Sequence, residues 1–157
     1  MTEQKKPVFG IQRLYIKDSS FESPNSPQIF RHPWEPKINL DMNTKTKQLD
    51  AAVYEVVLML TVTTKVSDEV AFVAEVQQCG IFNMENFEEE VKNQMLGAYC
   101  PNLLFPYARA YIDNLVVQGS FPPVHLAPIN FDAIYQQKLA ELNAKSDSDS
   151  ETESSMH

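Results

Sequence analysis

Residues 53–64 constrain this chain more than any other stretch. In VYEVVLMLTVTT, Tyr54, Val56, Leu58, Leu60 and Val62 fall on every second position. Successive side chains of a strand point to opposite faces, so this alternation defines a strand with one continuous apolar face. The other parity mixes Glu55, Met59, Thr61 and Thr63. Such a strand needs neighbours for its backbone donors and acceptors, and a cover for its apolar side. Its flanks supply the neighbours. Residues 37–42 set Ile38, Leu40 and Met42 against Lys37, Asn39 and Asp41, and residues 70–78 set Phe72, Ala74 and Val76 against Val73, Glu75 and Gln77. Polar turns are expected at 43–50 and 65–69, and short connections favour antiparallel pairing. Residues 8–22 form a longer strand, with Ile11, Tyr15 and Phe21 on one parity and Leu14, Ile16, Asp18 and Glu22 on the other. Both parities are apolar near the middle, which predicts cover on both faces, one of them from a second subunit.

The second half is helical. Glu88, Glu89 and Glu90 suit a first turn, where carboxylates favour the helix dipole, and Phe87, Val91 and Met95 follow at four-residue spacing. Pro101 and Pro106 interrupt, so a second helix is expected from about Phe105, with Ala108, Ile112, Leu115 and Val116 as its stripe and Gly119 as its stop. A connector with Pro122, Pro123 and Pro128 leads to a last helix, capped by Asn130, whose apolar side is Phe131, Ile134, Tyr135, Leu139 and Leu142. Residues 146–157, SDSDSETESSMH, have almost no apolar area to bury and are expected to be disordered. The chain thus divides into a flexible N-terminus (1–8), one domain (9–144) and a disordered acidic tail (145–157). Strands followed by helices predict an α+β fold: a four-stranded antiparallel sheet with helices packed on one face.

Little catalytic chemistry is visible. The four glycines, Gly10, Gly80, Gly97 and Gly119, are scattered singly, so no phosphate-cradling loop is present. His32, His125 and His157 make no metal-ligand spacing with Cys79 or Cys100. The reading is a non-enzyme without metal or cofactor. A formal net charge of −8 disfavours nucleic acid and anionic membrane surfaces. There is neither an apolar signal segment nor a membrane-length apolar run, which predicts a cytosolic protein with both cysteines as buried thiols. One loop stands apart. Residues 23–36 carry Pro24, Pro27, Pro33 and Pro36 together with Ile29, Phe30 and Trp34. Apolar side chains on a stiff loop point to binding.

Five ordered segments resemble the SecB family of protein-export chaperones: IQRLYIKDSSFESPN (11–25), VYEVVLMLTVT (53–63), AFVAEVQQCGIF (71–82), LGAYCPNLLFPYAR (96–109) and GSFPPVHLAPINFDA (119–133). The resemblance implies a dimer of dimers that holds unfolded precursor proteins without ATP and passes them to the SecA motor. It places the client groove at Trp34, Ile38, Leu40 and Met42, with Phe30 and Leu115 as further candidates, although Ile38, Leu40 and Met42 equally suit a core face. It places the SecA contact at Asp18, Glu22, Val73 and Glu75. Ala74, Val76 and Gln78 are the expected oligomer interface. The alternatives are a chaperone of this fold dedicated to one partner, such as a toxin–antitoxin pair, and a carrier for a small apolar ligand.

Overall fold

The computed structural model describes the backbone of residues 5–154 and the side chains of residues 5–148. Half of the expected flexible N-terminus (1–4) and the end of the tail (155–157) lie outside the described residues. Strands β1 (Val8–Glu22), β2 (Lys37–Asp50), β3 (Val53–Val66) and β4 (Glu69–Glu85) form one antiparallel sheet in the order β1-β4-β3-β2. Helices α1 (Glu89–Gln94), α2 (Cys100–Gln118) and α3 (Phe131–Ser154) follow. The α+β expectation holds.

The even positions of β3 are the core. Val56, Leu58, Leu60 and Val62 are fully buried, as are Phe72, Ala74, Val76 and Phe82 of β4. Their cover is a ridge on α2, Cys100, Leu104, Ala108, Ile112 and Val116, each four residues from the next and each fully buried. Four-residue spacing keeps one side of a helix aligned along its axis, so a single ridge seals the sheet. Burying a side chain of Leu, Ile, Val or Phe size is worth about 1.5–3 kcal/mol, and this layer holds most of them.

The strands outrun the expectation. β2 continues through 43–50, which alternation alone assigns to a turn, because β2 is an edge strand with little cover there: Thr46, Gln48 and Leu49 are exposed. The true turn is Ala51 and Ala52. β3 meets β4 through Ser67 and Asp68, with φ of 51° and 64°. Positive φ at both central positions twists a two-residue hairpin in the right sense. β4 runs on past Gly80, where a Cβ would sit 2.7 Å from the Phe82 ring and 3.1 Å from Leu104. Glycine leaves room there for the Phe82 ring and for Leu104 of α2.

Helical backbone runs from Glu89 to Gln118 in place of two separated helices, joined by a π turn at Met95–Tyr99. Pro101 lies in the first turn of α2, just after the widened turn, where its missing N–H is tolerated. Pro106 lies inside α2 on the exposed side, beside exposed Asn102, so the freed carbonyl can bond to solvent. The acidic segment also departs from expectation: α3 is continuous to Ser154, with Ser146 and Ser148 hydroxyls donating to the carbonyls of Asn143 and Lys145. Residues 145–154 contain no Pro or Gly to stop a helix, and residues 145–148 are exposed, as their composition requires.

Candidate functional site

The proline-rich loop is pinned from below and bare above. The Ser23 hydroxyl donates to the Ala71 carbonyl at 2.9 Å and the Asn25 amide to the Val70 carbonyl at 2.9 Å, which ties the loop to the start of β4. A short 3₁₀ turn at Gln28–Arg31 buries Ile29, 3% exposed, and turns Phe30 outward, 50% exposed. Trp34 follows at 39%. The Phe30 and Trp34 rings lie 5.2 and 5.7 Å from the ring of buried Phe121, which lies 5.1 Å from Phe72 of the core. The result is an aromatic floor with two exposed rings on it. Such pairs add about 0.5–1.5 kcal/mol beyond their area, so the rings are held in place before anything binds.

Phe121 escaped prediction. It lies in GSFPP, where flanking prolines mark a connector and hide an anchor; a lone aromatic between turn residues is the signal that could have found it. The β2 candidates separate. Ile38 is 46% exposed and lines an open cleft of about 290 Å³ with Thr63 and Lys65. Leu40 and Met42 are half-buried against the core, and Met42 borders a crevice with Phe131, Ile134 and Tyr135 beneath α3. Leu115, half-buried, lies on the last turn of α2 before Phe121.

The acidic candidates share one surface. Asp18 pairs with Gln77, Ser20 with Glu75 and Glu22 with Val73; Glu75 in turn pairs with Thr61, and Thr61 with Asp41. These positions alternate with the buried ones, so Asp18, Glu22, Val73 and Glu75 all lie on the sheet face away from the helices, joined by Asp41. Alternation along β1 is misleading at this point. Irregularities between Ile11 and Arg13 and between Ile16 and Asp18 each insert a residue, and one extra residue inverts the facing of everything beyond it. Phe9, Leu14 and Phe21 consequently pack on the core, while Tyr15, Asp18 and Glu22 face out.

Ala74, Val76 and Gln78, expected at an oligomer interface, lie on the helix side of the sheet. They are 0, 0 and 4% exposed within this one chain, beneath α2, and Gln78 donates to the Tyr15 carbonyl at 3.2 Å. Ala74 and Val76 pack the sheet against its own helices, and Gln78 also lines the open cleft between β1 and α2.

Farther along the same outer face, Glu55 receives the Tyr15 hydroxyl and the Lys17 ammonium, the latter at 2.8 Å. Hydrogen bonds from Lys17 and then Tyr15 hold the Glu55 carboxyl below its ordinary range. Burial and the Glu55 bond push Tyr15 up, and the bond to Glu55 raises Lys17. The carboxylate's contribution to stability is therefore present above the ordinary range, about 4.3, and lost as pH falls through the depressed folded value. Glu55→Gln is expected to lower the thermal midpoint by a few degrees at pH 7. The gap to the native chain should close on acidification, measured as midpoint against pH; a gap that stays constant would show that ionisation of Glu55 does not carry the difference. Burial pushes the Cys100 thiol up to about 12 and raises Cys79. Both stay protonated and unreactive at neutral pH. Among the described residues no cluster of three or more His, Cys, Asp or Glu could hold a metal ion, and no helix is long and apolar enough to cross a membrane.

Anchored, exposed aromatic rings beside a sheet–helix layer, with a charged sheet face behind, suit a scaffold that holds polypeptide segments. Comparison with known proteins gives the family. The description "Preprotein translocase subunit SecB" matches residues 2–142. Protein-export protein SecB of Pseudomonas paraeruginosa is 54% identical over 90% of this chain and 88% of its own, and that of Pseudomonas fluorescens 54% over 90% and 89%. The Stutzerimonas stutzeri protein of the same name is 55% identical over 87% of this chain and 83% of its own. A Mycobacterium tuberculosis SecB-like chaperone, solved with a ChAD peptide from the HigA1 antitoxin, shares the fold with a TM-score of 0.65 over 77% of this chain and 90% of that one, at 14% identity. The chain belongs to the SecB family of protein-export chaperones.

Proposed function

We propose that this chain is an ATP-independent holdase of the cytosol, which binds unfolded precursor proteins, keeps them competent for translocation and delivers them to the SecA motor. The observation that carries the reading is the pair of exposed rings, Phe30 and Trp34, on the buried Phe121 anchor. Hydrophobic contact has no direction, so such a floor accepts many sequences and distinguishes unfolded chains from folded ones by what they expose. Asp18, Glu22, Val73 and Glu75 are the proposed contact for a basic segment of the motor. The family's tetramer is supported by apolar side chains left bare on the sheet edge and helix, Ile11, Ile16, Tyr99 and Tyr107, the last beside an open cleft of about 710 Å³ between β1 and α2.

The identity of the relatives favours general export over service to one partner such as an antitoxin. A carrier of a small apolar ligand would call for an enclosed pocket, and the clefts at Ile38 and between β1 and α2 are open. The test is refolding of a chemically denatured precursor. An equimolar amount of the oligomer is expected to arrest refolding and suppress aggregation without ATP; unchanged refolding and aggregation would defeat the proposal. Pull-down from the native host separates the rivals: many export precursors support the holdase, one dominant partner the dedicated chaperone.

A further inference from the structure

The outer sheet face gathers Asp18, Glu22, Glu75 and Asp41 near one end and a cluster of cations farther along. Beyond the Ser20–Glu75–Thr61–Asp41 row, the successive rows are Asp18–Gln77–Met59–Asn43, Tyr15–Cys79–Val57–Lys45 and Arg13–Ile81–Glu55–Lys47. Lys17 joins the last rows through its ion pair with Glu55. Arg13, Lys17, Lys45 and Lys47 thus gather around one carboxylate, in a chain of formal net charge −8. Arg13, Lys45 and Lys47 are exposed and enter no ion pair among the described residues. Glu75 and Ile81 mark the two charge centres on β4, which at the rise of a strand are about 20 Å apart. Between them lie half-buried Met59 and buried Val57, flanked by Gln77, Asn43 and Tyr15.

We infer that this face takes a partner segment of bipartite charge: a basic cluster on Asp18, Glu22 and Glu75, a short uncharged stretch across the Met59 row, and an acidic cluster on Lys45, Lys47 and Arg13. This rests on, and deepens, the reading of the acidic end as the motor contact. In extended form the two clusters of the segment are about six residues apart. A uniformly basic segment longer than that would carry its own cations onto the lysines. Nucleic acid or an anionic membrane would meet Asp18, Glu22, Glu75 and Asp41 on the same face. The cationic half therefore gives the contact a direction and a length, which an acidic patch alone cannot. Lys37 and Lys65 pair with each other at the far end, beside the Ile38 cleft, and serve as a control.

The experiment is fluorescence anisotropy of the full chain with three synthetic peptides of equal length: basic–uncharged–acidic, the same with the acids replaced by serine, and the same with the bases replaced by serine. The acidic cluster is expected to tighten binding about three- to tenfold at low salt, the sum of a few exposed ion pairs. Lys45→Gln with Lys47→Gln should erase that gain, Lys45→Glu with Lys47→Glu should reverse it, and Lys37→Gln with Lys65→Gln should leave it intact. No gain from the acids, or a gain that survives Lys45→Gln with Lys47→Gln, would overturn the inference. Glu75→Lys reads the basic cluster separately. If that variant keeps the full contribution of the basic cluster, the motor reading fails, while the comparison of acid with serine still decides this one.

Discussion

Replacing both Phe30 and Trp34 with alanine is expected to weaken binding of an unfolded client by about 2–4 kcal/mol, roughly 30- to 1,000-fold in affinity. Both rings are substantially exposed in the free chain, so their removal takes little from the core; their partner Phe121 is already 5% exposed and stays packed on Phe72. The loop keeps its attachment to β4, because Ile29, Asn25 and Ser23 still hold it there. The loss should therefore appear chiefly in client affinity, beside a fall of several degrees in the thermal midpoint from the two ring contacts with Phe121. It should fall mostly on dissociation, since apolar contact contributes little to steering. Titration calorimetry of the double variant with a permanently unfolded precursor checks this, and the heat-capacity change on binding should become less negative as apolar area is lost. Equal affinity for native and variant chains would move the client surface elsewhere, with Ile38 and its cleft the next candidate.

How much of this was legible beforehand follows from what covers each element. β3 is covered on its apolar side by α2 and joined by strands on both edges, so its alternation is regular and its face assignment correct. The second half of β2 was invisible because an uncovered edge strand has no reason to be apolar at Thr46 or Gln48. Alternation misplaced Leu14 and Ile16 because a bulge is a matter of register with β4, which one strand's sequence does not contain. Asp18 and Glu22 survived that error, since both lie beyond the second irregularity and stay in phase with each other. Pro101 and Pro106 were read as breaks because local rules cannot know that a π turn and an exposed side will absorb them. Family resemblance pointed to Trp34 and to the acidic face as candidates. It did not find Phe121, whose role exists only where the connector folds back under the loop. Nor did it separate Ala74 and Val76, whose parity is that of the chain's own core, from a subunit interface.

Glu75→Lys is expected to lower affinity for the motor's basic segment by about 10- to 100-fold at low ionic strength, and to leave client binding unchanged. Glu75 is half-buried on β4, a central strand, between Ser20 and Thr61, so its direction is fixed by the ladder on both sides. Charge reversal acts twice: one attraction is removed, and the new ammonium repels the incoming cations and draws on Asp18, Glu22 and Asp41 nearby. Single exposed pairs are worth about 0.2–1 kcal/mol, so a reversal felt by several partner cations reaches roughly 1–3 kcal/mol, and repetition of the face on each subunit multiplies it through effective concentration. Because the groups are wet, the effect should shrink steeply as the Debye length falls from about 10 Å at 0.1 M salt to about 3 Å at 1 M. Surface plasmon resonance across that range should show the difference in the association rate, where long-range charge acts. A loss that does not depend on salt would mean that the substitution disturbs the sheet. Parallel losses of client and motor affinity would mean that the two faces of the sheet are not the separate surfaces proposed for them.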